Sequence, residues 1–171
     1  MPSEIIQWFP GHMAKTRRLI RENLKNVDLV IELLDARIPI SSRNPEIGAL
    51  TEGKPLLTLL NKSSLADPAA TRRFVTYYTE KGHVALAFDC LEKKGTEKLM
   101  PAVRALLSEK IERYEGKGMG GRHLRAMVVG IPNVGKSSLI NLLSGAKKAK
   151  VENRPGVTLI PQWISTCMGL D

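Results

Sequence analysis

Residues 130–137 read Gly-Ile-Pro-Asn-Val-Gly-Lys-Ser, and this octet decides the fold. Met127, Val128 and Val129 run into it, and Leu139, Ile140, Leu142 and Leu143 follow it at helical spacing. A glycine-rich turn between a strand and a helix lets backbone N–H groups converge on phosphate oxygens, and the helix start adds partial positive charge. Lys136 then reaches the outer phosphates, and the Ser137 hydroxyl is placed for Mg²⁺. Gly130, Gly135, Lys136 and Ser137 are therefore candidate nucleotide-binding residues. The alternative, an ordinary glycine-rich turn, is outweighed by the joint match of pattern and context.

Working outward, strands and helices alternate. Leu19, Ile20, Leu24 and Val27 recur at helical spacing over residues 14–26, with Lys15, Arg17, Arg18, Arg21 and Lys25 on the other face. Residues 27–35 are a nearly continuous apolar run, predicting a buried strand with Asp35-Ala36-Arg37 at its carboxyl end. A short helix is predicted at 45–50 and a second strand at 55–60, ending in Asn61-Lys62. A helix opened by Pro68 runs to about 81, and a third strand covers 84–88. Residues 96–114 read as one long amphipathic helix with Leu99, Val103, Leu106, Leu107 and Ile111 on one face. The stretch 115–123 holds four glycines in nine residues and reads as a flexible linker. A fourth strand at 125–129, a helix at 136–144 and a candidate strand at 162–167 complete the pattern. Such alternation implies an α/β, doubly wound, mostly parallel sheet that binds ligands at the carboxyl ends of its strands.

Composition narrows the setting. Of 171 residues, 43% are apolar and 25% charged, ordinary proportions for a soluble globular chain. Aromatic residues are only 5%, which disfavours a surface built on base stacking. The net charge of +9 favours a polyanionic partner, nucleic acid above all. Cys90 and Cys167 lack metal or redox spacing, and no run is long and apolar enough to span a membrane. Residues 1–13 have no signal-peptide core. The expectation is a cytoplasmic protein with no membrane association.

Asn61-Lys62-Ser63-Ser64 resembles the N-K-x-D sequence with which GTPases recognise guanine, yet it precedes the phosphate loop. A circular permutation explains the order, since rejoining a chain at surface loops preserves sheet and site. Taken with Trp8-Phe-Pro-Gly-His-Met13, Asp35-Ala-Arg-Ile-Pro39, residues 130–138 and Arg154-Pro-Gly-Val-Thr158, the chain resembles the circularly permuted ribosome-assembly GTPases, the YlqF/RbgA family. The likeness covers residues 7–163 and implies a Ras-like P-loop NTPase fold over residues 1–171. It implies GTP and GDP binding, GTP hydrolysis, and action on the large ribosomal subunit or its precursor through rRNA, with the chain a monomer.

The resemblance also implies roles. Asn133, Val134 and Ser138 would join Gly130, Gly135, Lys136 and Ser137 around the phosphates; Asn61 and Lys62 would hold the base, with Ser64 closing the motif; Thr158 would be the switch threonine on Mg²⁺ beside Ser137; Asn133 resembles an asparagine associated with K⁺ in many potassium-stimulated GTPases. His12 is the candidate to orient the attacking water, the plainer reading being a helix cap. Asp35 and Arg37 are expected to pair as a strand-end brace. Lys147, Lys148 and Lys150 are either a solvated charge run or an RNA contact.

Three departures qualify the likeness. Ser64 stands where the family has Asp, so relaxed guanine preference is expected, and Asp67 is too far along the loop to substitute. Asp89-Cys90-Leu91 stands where a Ser-Ala pair usually contacts the guanine oxygen, a backbone contact that could survive. No D-x-x-G precedes Asp171, so the domain is expected to be truncated before the strand carrying that motif, with the family's C-terminal helical domain absent and hydrolysis weak. The competing readings are a nucleotide- or RNA-binding module that does not hydrolyse, and a P-loop kinase or ATPase, for which no acceptor or lid motif is present.

Overall fold

The seven residues of Leu29–Asp35 (β1) are all buried, as a strand covered on both faces must be, and the sheet grows from it in both directions. Leu56–Asn61 (β2) pairs with it in parallel, Val84–Ala87 (β3) adds beyond β2, and Ala126–Val129 (β4) lies on the other side, giving the order β3-β2-β1-β4. The computed structural model describes residues 10–145. The expected strand at 162–167, Thr158, the lysines at 147, 148 and 150, and Trp8 all lie outside them. His12 falls within the first helix, but its side chain is outside the description as well.

Alternate β1 residues feed two different helix layers, as a two-residue period requires. Ile31 and Leu33 join Leu57, Leu59 and Phe88 under Thr96–Leu106 (α4), Ser108–Gly116 (α5) and Lys136–Ser144 (α6), through Leu99, Val103, Leu107 and Leu139. On the opposite face, Val30 packs against Ile20 of Pro10–Leu24 (α1) and Ile47 of Glu46–Leu50 (α2), while Leu34 and Leu60 meet Tyr78 of Pro68–Glu80 (α3). The doubly wound parallel sheet expected from the sequence is therefore present.

The single helix expected at 96–114 is two. Leu107, at φ −107° and ψ 13°, interrupts it, and Leu107 is itself buried in the core. Apolar spacing runs through the break without a change of period, so periodicity could not reveal it. The second piece continues to Gly116, which shortens the expected linker from its amino end.

One carboxylate anchors that linker region. Asp28, 5% exposed at the base of β1, accepts the Arg125 amide at 2.8 Å and the Tyr114 hydroxyl at 3.4 Å, and pairs with Lys110 at 2.5 Å. It thereby ties α5 and the entry to β4 to the central strand. Burial disfavours its charge, but Lys110 and the Arg125 amide outweigh that and hold its pKa below the ordinary aspartate value. Asp28→Ala is expected to cost about 1–3 kcal/mol, because it removes the buried carboxylate that the Arg125 amide and the Lys110 ammonium share. A group with a depressed folded-state pKa contributes stability that is present above its unfolded pKa and lost as pH falls through the folded value. The gap between wild type and variant, read by thermal melting, should therefore be full at neutral pH and close below about pH 4. An equal gap at pH 7 and pH 2.5 would remove the carboxylate from the account.

Candidate functional site

All four strands are parallel, so the loops after β1, β2, β3 and β4 open along one edge of the sheet. The loop after β4 passes close over β1: a Cβ at Gly130 would lie 2.8 Å from both the Leu33 carbonyl oxygen and Val134 Cγ1. Asn133 adopts a left-handed conformation (φ 63°), and Gly135 takes φ 110°. Val134 between them is buried and plugs the core beneath the loop. Such alternation turns successive N–H groups inward into an anion-binding concavity. Ser137 and Ser138 follow, half-buried, in the first turn of α6.

Lys136 Nζ folds back over this loop and donates to the Gly130 and Ile131 carbonyls, both at 2.9 Å. Among the described residues no carboxylate pairs with it, and burial pulls its pKa down to about 8. A half-buried cation held only by neutral carbonyls is under-compensated, and an anion in the loop would relieve that. The residues therefore fit a phosphate chain.

The base-motif loop proves to be part of the same unit. Asn61, 2% exposed, donates from Nδ2 to the Val134 carbonyl at 2.9 Å and accepts the Cys90 amide on Oδ1 at 3.0 Å. Lys62, left-handed at φ 61°, donates to the Asn133 carbonyl at 2.9 Å and to Asp35 Oδ2 at 3.3 Å. Both side chains thus brace the phosphate loop. Any contact with a base is additional to that task. Asp35 and Arg37 form the local brace expected, with Arg37 donating from two nitrogens at 2.9 and 2.7 Å. The Arg37 side chain, aided by Lys62, holds the Asp35 pKa at about 2.

Around Ser64 the structure adds what the sequence reading did not anticipate. The Ser64 amide donates to Asp89 Oδ2 at 3.1 Å, while Asp89 Oδ1 accepts the Leu91 and Glu92 amides at 3.0 Å each. The sequence left open a backbone contact from Asp89-Cys90-Leu91 to a guanine oxygen; of these amides, that of Cys90 donates to Asn61. Burial pushes the Cys90 thiol up to about 12, so it has no thiolate chemistry at neutral pH. Asp67 caps α3 through the Ala70 amide at 2.6 Å, in keeping with the expectation that it does not replace the missing carboxylate. The one signal that could have revealed Asp89 was its position straight after a predicted strand, level with the Asn61-Lys62 turn.

The basic face of α1 is partly neutralised. Arg17 binds both Glu46 oxygens at 2.7 and 2.5 Å, and Arg18 binds Glu22 at 2.7 Å. No cluster of His, Cys, Asp or Glu among the described residues could hold a metal, which leaves Ser137 as the described candidate on Mg²⁺. No described helix is long and apolar enough to cross a membrane.

Comparison with known proteins gives a consistent result. A family model described as 50S ribosome-binding GTPase matches residues 125–169. "Ribosome biogenesis GTPase A" of Priestia megaterium is 53% identical over 160 residues, covering 93% of this chain and 56% of the relative. The Bacillus cereus protein of the same name is 49% identical, covering 94% and 54%. "Mitochondrial ribosome-associated GTPase 1" of Mus musculus is 41% identical over 163 residues, covering 91% and 48%. The chain spans about half the length of the curated relatives it matches. Among solved structures, GNP-bound YlqF from T. maritima superposes with a TM-score of 0.59 at 27% identity, covering 91% of this chain and 55% of that one.

Proposed function

The chain belongs, over the part it spans, to the circularly permuted ribosome-biogenesis GTPases, and from that premise we propose that it binds and hydrolyses GTP during assembly of the large ribosomal subunit. The observation that carries this reading is the Lys136 ammonium, without a carboxylate partner among the described residues, over a loop closed at Gly130 and Gly135 and cross-braced by Asn61 and Lys62. The backbone N–H groups of the 130–135 loop, Pro132 excepted, and of the first turn of α6 would cradle the phosphates, Lys136 would leave its carbonyl partners for the outer phosphates, and Ser137 would hold Mg²⁺. Asn133 and K⁺ belong to the same proposal, as does GDP as the product held.

Phosphoryl transfer needs positioning and charge stabilisation more than covalent chemistry. Bound Mg²⁺ would supply neutralisation of the developing charge. This chain's own residues hold the phosphates still, and His12 orients the water, with Thr158 closing over the γ-phosphate. The net charge of +9 suits rRNA or a pre-ribosomal particle as partner. Ser64 favours a second reading, a binding module of relaxed base preference that does not turn over.

Affinities for GTP, GDP and ATP with and without Mg²⁺, followed by multiple-turnover hydrolysis with large-subunit precursors, separate the two. The proposal expects Mg²⁺-dependent GTP binding, turnover, and a His12→Ala variant that loses rate more than affinity. Tight binding without turnover would move the chain to the second reading; no triphosphate binding would end both.

A further inference from the structure

Resting on the GTP-binding reading above, we propose that Asp89 supplies the carboxylate that reads guanine in this chain, in place of the acidic residue that Ser64 replaces. The edge of guanine distal to its phosphate-linked sugar presents two adjacent donors, N1–H and the 2-amino group. An ionised carboxylate, with two oxygens and about four acceptor directions, is the side chain matched to that pair. Serine is not, offering a single neutral oxygen.

Three aspartates stand at this edge of the sheet among the described residues, and two are engaged elsewhere. Asp35 is held by Arg37 and Lys62. Asp67 caps α3. Asp89 meets no cation: it accepts backbone amides and the Ser64 side chain, and its Oδ2 lies 3.1 Å from the amide of Ser64 itself. Oδ1 takes two amides and Oδ2 one, so the remaining acceptor direction is met only by the Ser64 hydroxyl, a rotor that can swing aside for a ligand donor. The carboxylate therefore sits one hydrogen bond from the residue whose role it would assume.

The fold places it there for a reason legible in the register. Leu60 of β2 lies level with Ala87 of β3, so the chain positions after the two strands, 62–64 and 89–91, rise side by side. Asn61 fastens the pair by accepting the Cys90 amide while holding Val134 of the phosphate loop. A nucleotide with its phosphates on residues 130–137 would thus meet both loops through one connected set of bonds. Burial opposes the charge on Asp89, but the Glu92, Ser64 and Leu91 amides overcome it and keep the group ionised at neutral pH. Asp89 is 4% exposed, and the exposed Ser64 beside it covers the carboxylate with no more than its own hydroxyl, where an acidic side chain would extend further. Leu65 and Leu91, 67% and 81% exposed, flank the two loops and offer apolar edges to a base.

The test is a nucleotide titration of the intact chain with GTP, XTP and ATP, comparing wild type, Asp89→Asn and Asp89→Asn combined with Ser64→Asp. In Asp89→Asn the amide oxygen retains the Leu91 and Glu92 N–H groups and places an NH₂ donor where Oδ2 was. That donor opposes the 2-amino group of guanine and matches the 2-carbonyl of xanthine. Expected are a fall in GTP affinity of about 10- to 150-fold, a gain in XTP affinity, ATP unchanged, and recovery of GTP preference on adding Ser64→Asp. An equal change for all three nucleotides, or none, would show Asp89 to be a loop clamp and overturn the proposal. A wild type that binds GTP and ATP alike would overturn it too while leaving the phosphate-loop reading standing. Failure of every triphosphate to bind wild type would sink that reading, and the proposal with it.

Discussion

Lys136→Ala is expected to abolish triphosphate binding and leave the fold intact. The side chain makes two bonds, both to carbonyls of its own loop, and stands at the first position of α6, where alanine is a good helix former. Removing it relieves a half-buried, under-compensated cation, so stability should not fall. Binding loses a charge-assisted contact to the most highly charged part of the ligand, and a loss of at least about a hundredfold follows. The pH dependence isolates the same group. Burial holds the free Lys136 near pKa 8, and a bound polyanion would raise it, so complex formation takes up a proton above that pH. Wild-type affinity should therefore be flat below about pH 8 and decline as pH rises past it, and the variant should lack that decline. Unaltered affinity in Lys136→Ala, with circular dichroism unchanged, would dismantle the phosphate-loop assignment.

Gly135→Ala should damage both stability and binding. A Cβ there would stand 2.3 Å from Asn61 Nδ2, and the φ of 110° is one that L side chains rarely adopt. Neither conflict can be relieved without moving the loop or breaking the bond from Asn61 to Val134. The backbone strain costs about 1–3 kcal/mol, and the lost buried hydrogen bond about 1 more. The displaced loop should then lose triphosphate affinity by more than a hundredfold, since the cradle depends on the placement of successive N–H groups. Gly48→Ala in α2 is the control: its Cβ meets nothing within 4 Å, and the change should be neutral or stabilising by about 0.5–1 kcal/mol. Similar melting temperatures for the Gly135 and Gly48 variants would show that the contact between the two loops is not structural.

The comparison of these glycines shows how far the sequence could be read. The octet at 130–137 was legible because its chemistry is local: glycine freedom, a cation and a hydroxyl are fixed by neighbours a few residues apart. The strands were legible for a related reason, since a run such as 29–35, apolar on both faces, is stable only inside a covered parallel sheet. The order of motifs showed the permutation, and the loss of the acidic residue at Ser64 was plain.

What the sequence could not show depends on residues far apart along the chain. The bond from Asn61 to Val134 joins positions 73 apart, and it exists only because β1 stands between β2 and β4 in the sheet. That placement turned two candidate loops into one site and gave Asn61 and Lys62 a bracing task. The break at Leu107 was hidden because the apolar period continues through it, and burial of that one side chain decided the bend. Asp28 lies within a run that reads as apolar, and packing gave it Lys110, Tyr114 and Arg125 as partners. Asp89 beside the Ser64 amide is the same kind of fact. Sequence alone determined which chemistry was available and which segments would be strands, because both follow from local residue type and periodicity. Tertiary structure alone decided which of those groups meet, because strand order and register place side chains together without regard to their distance along the chain.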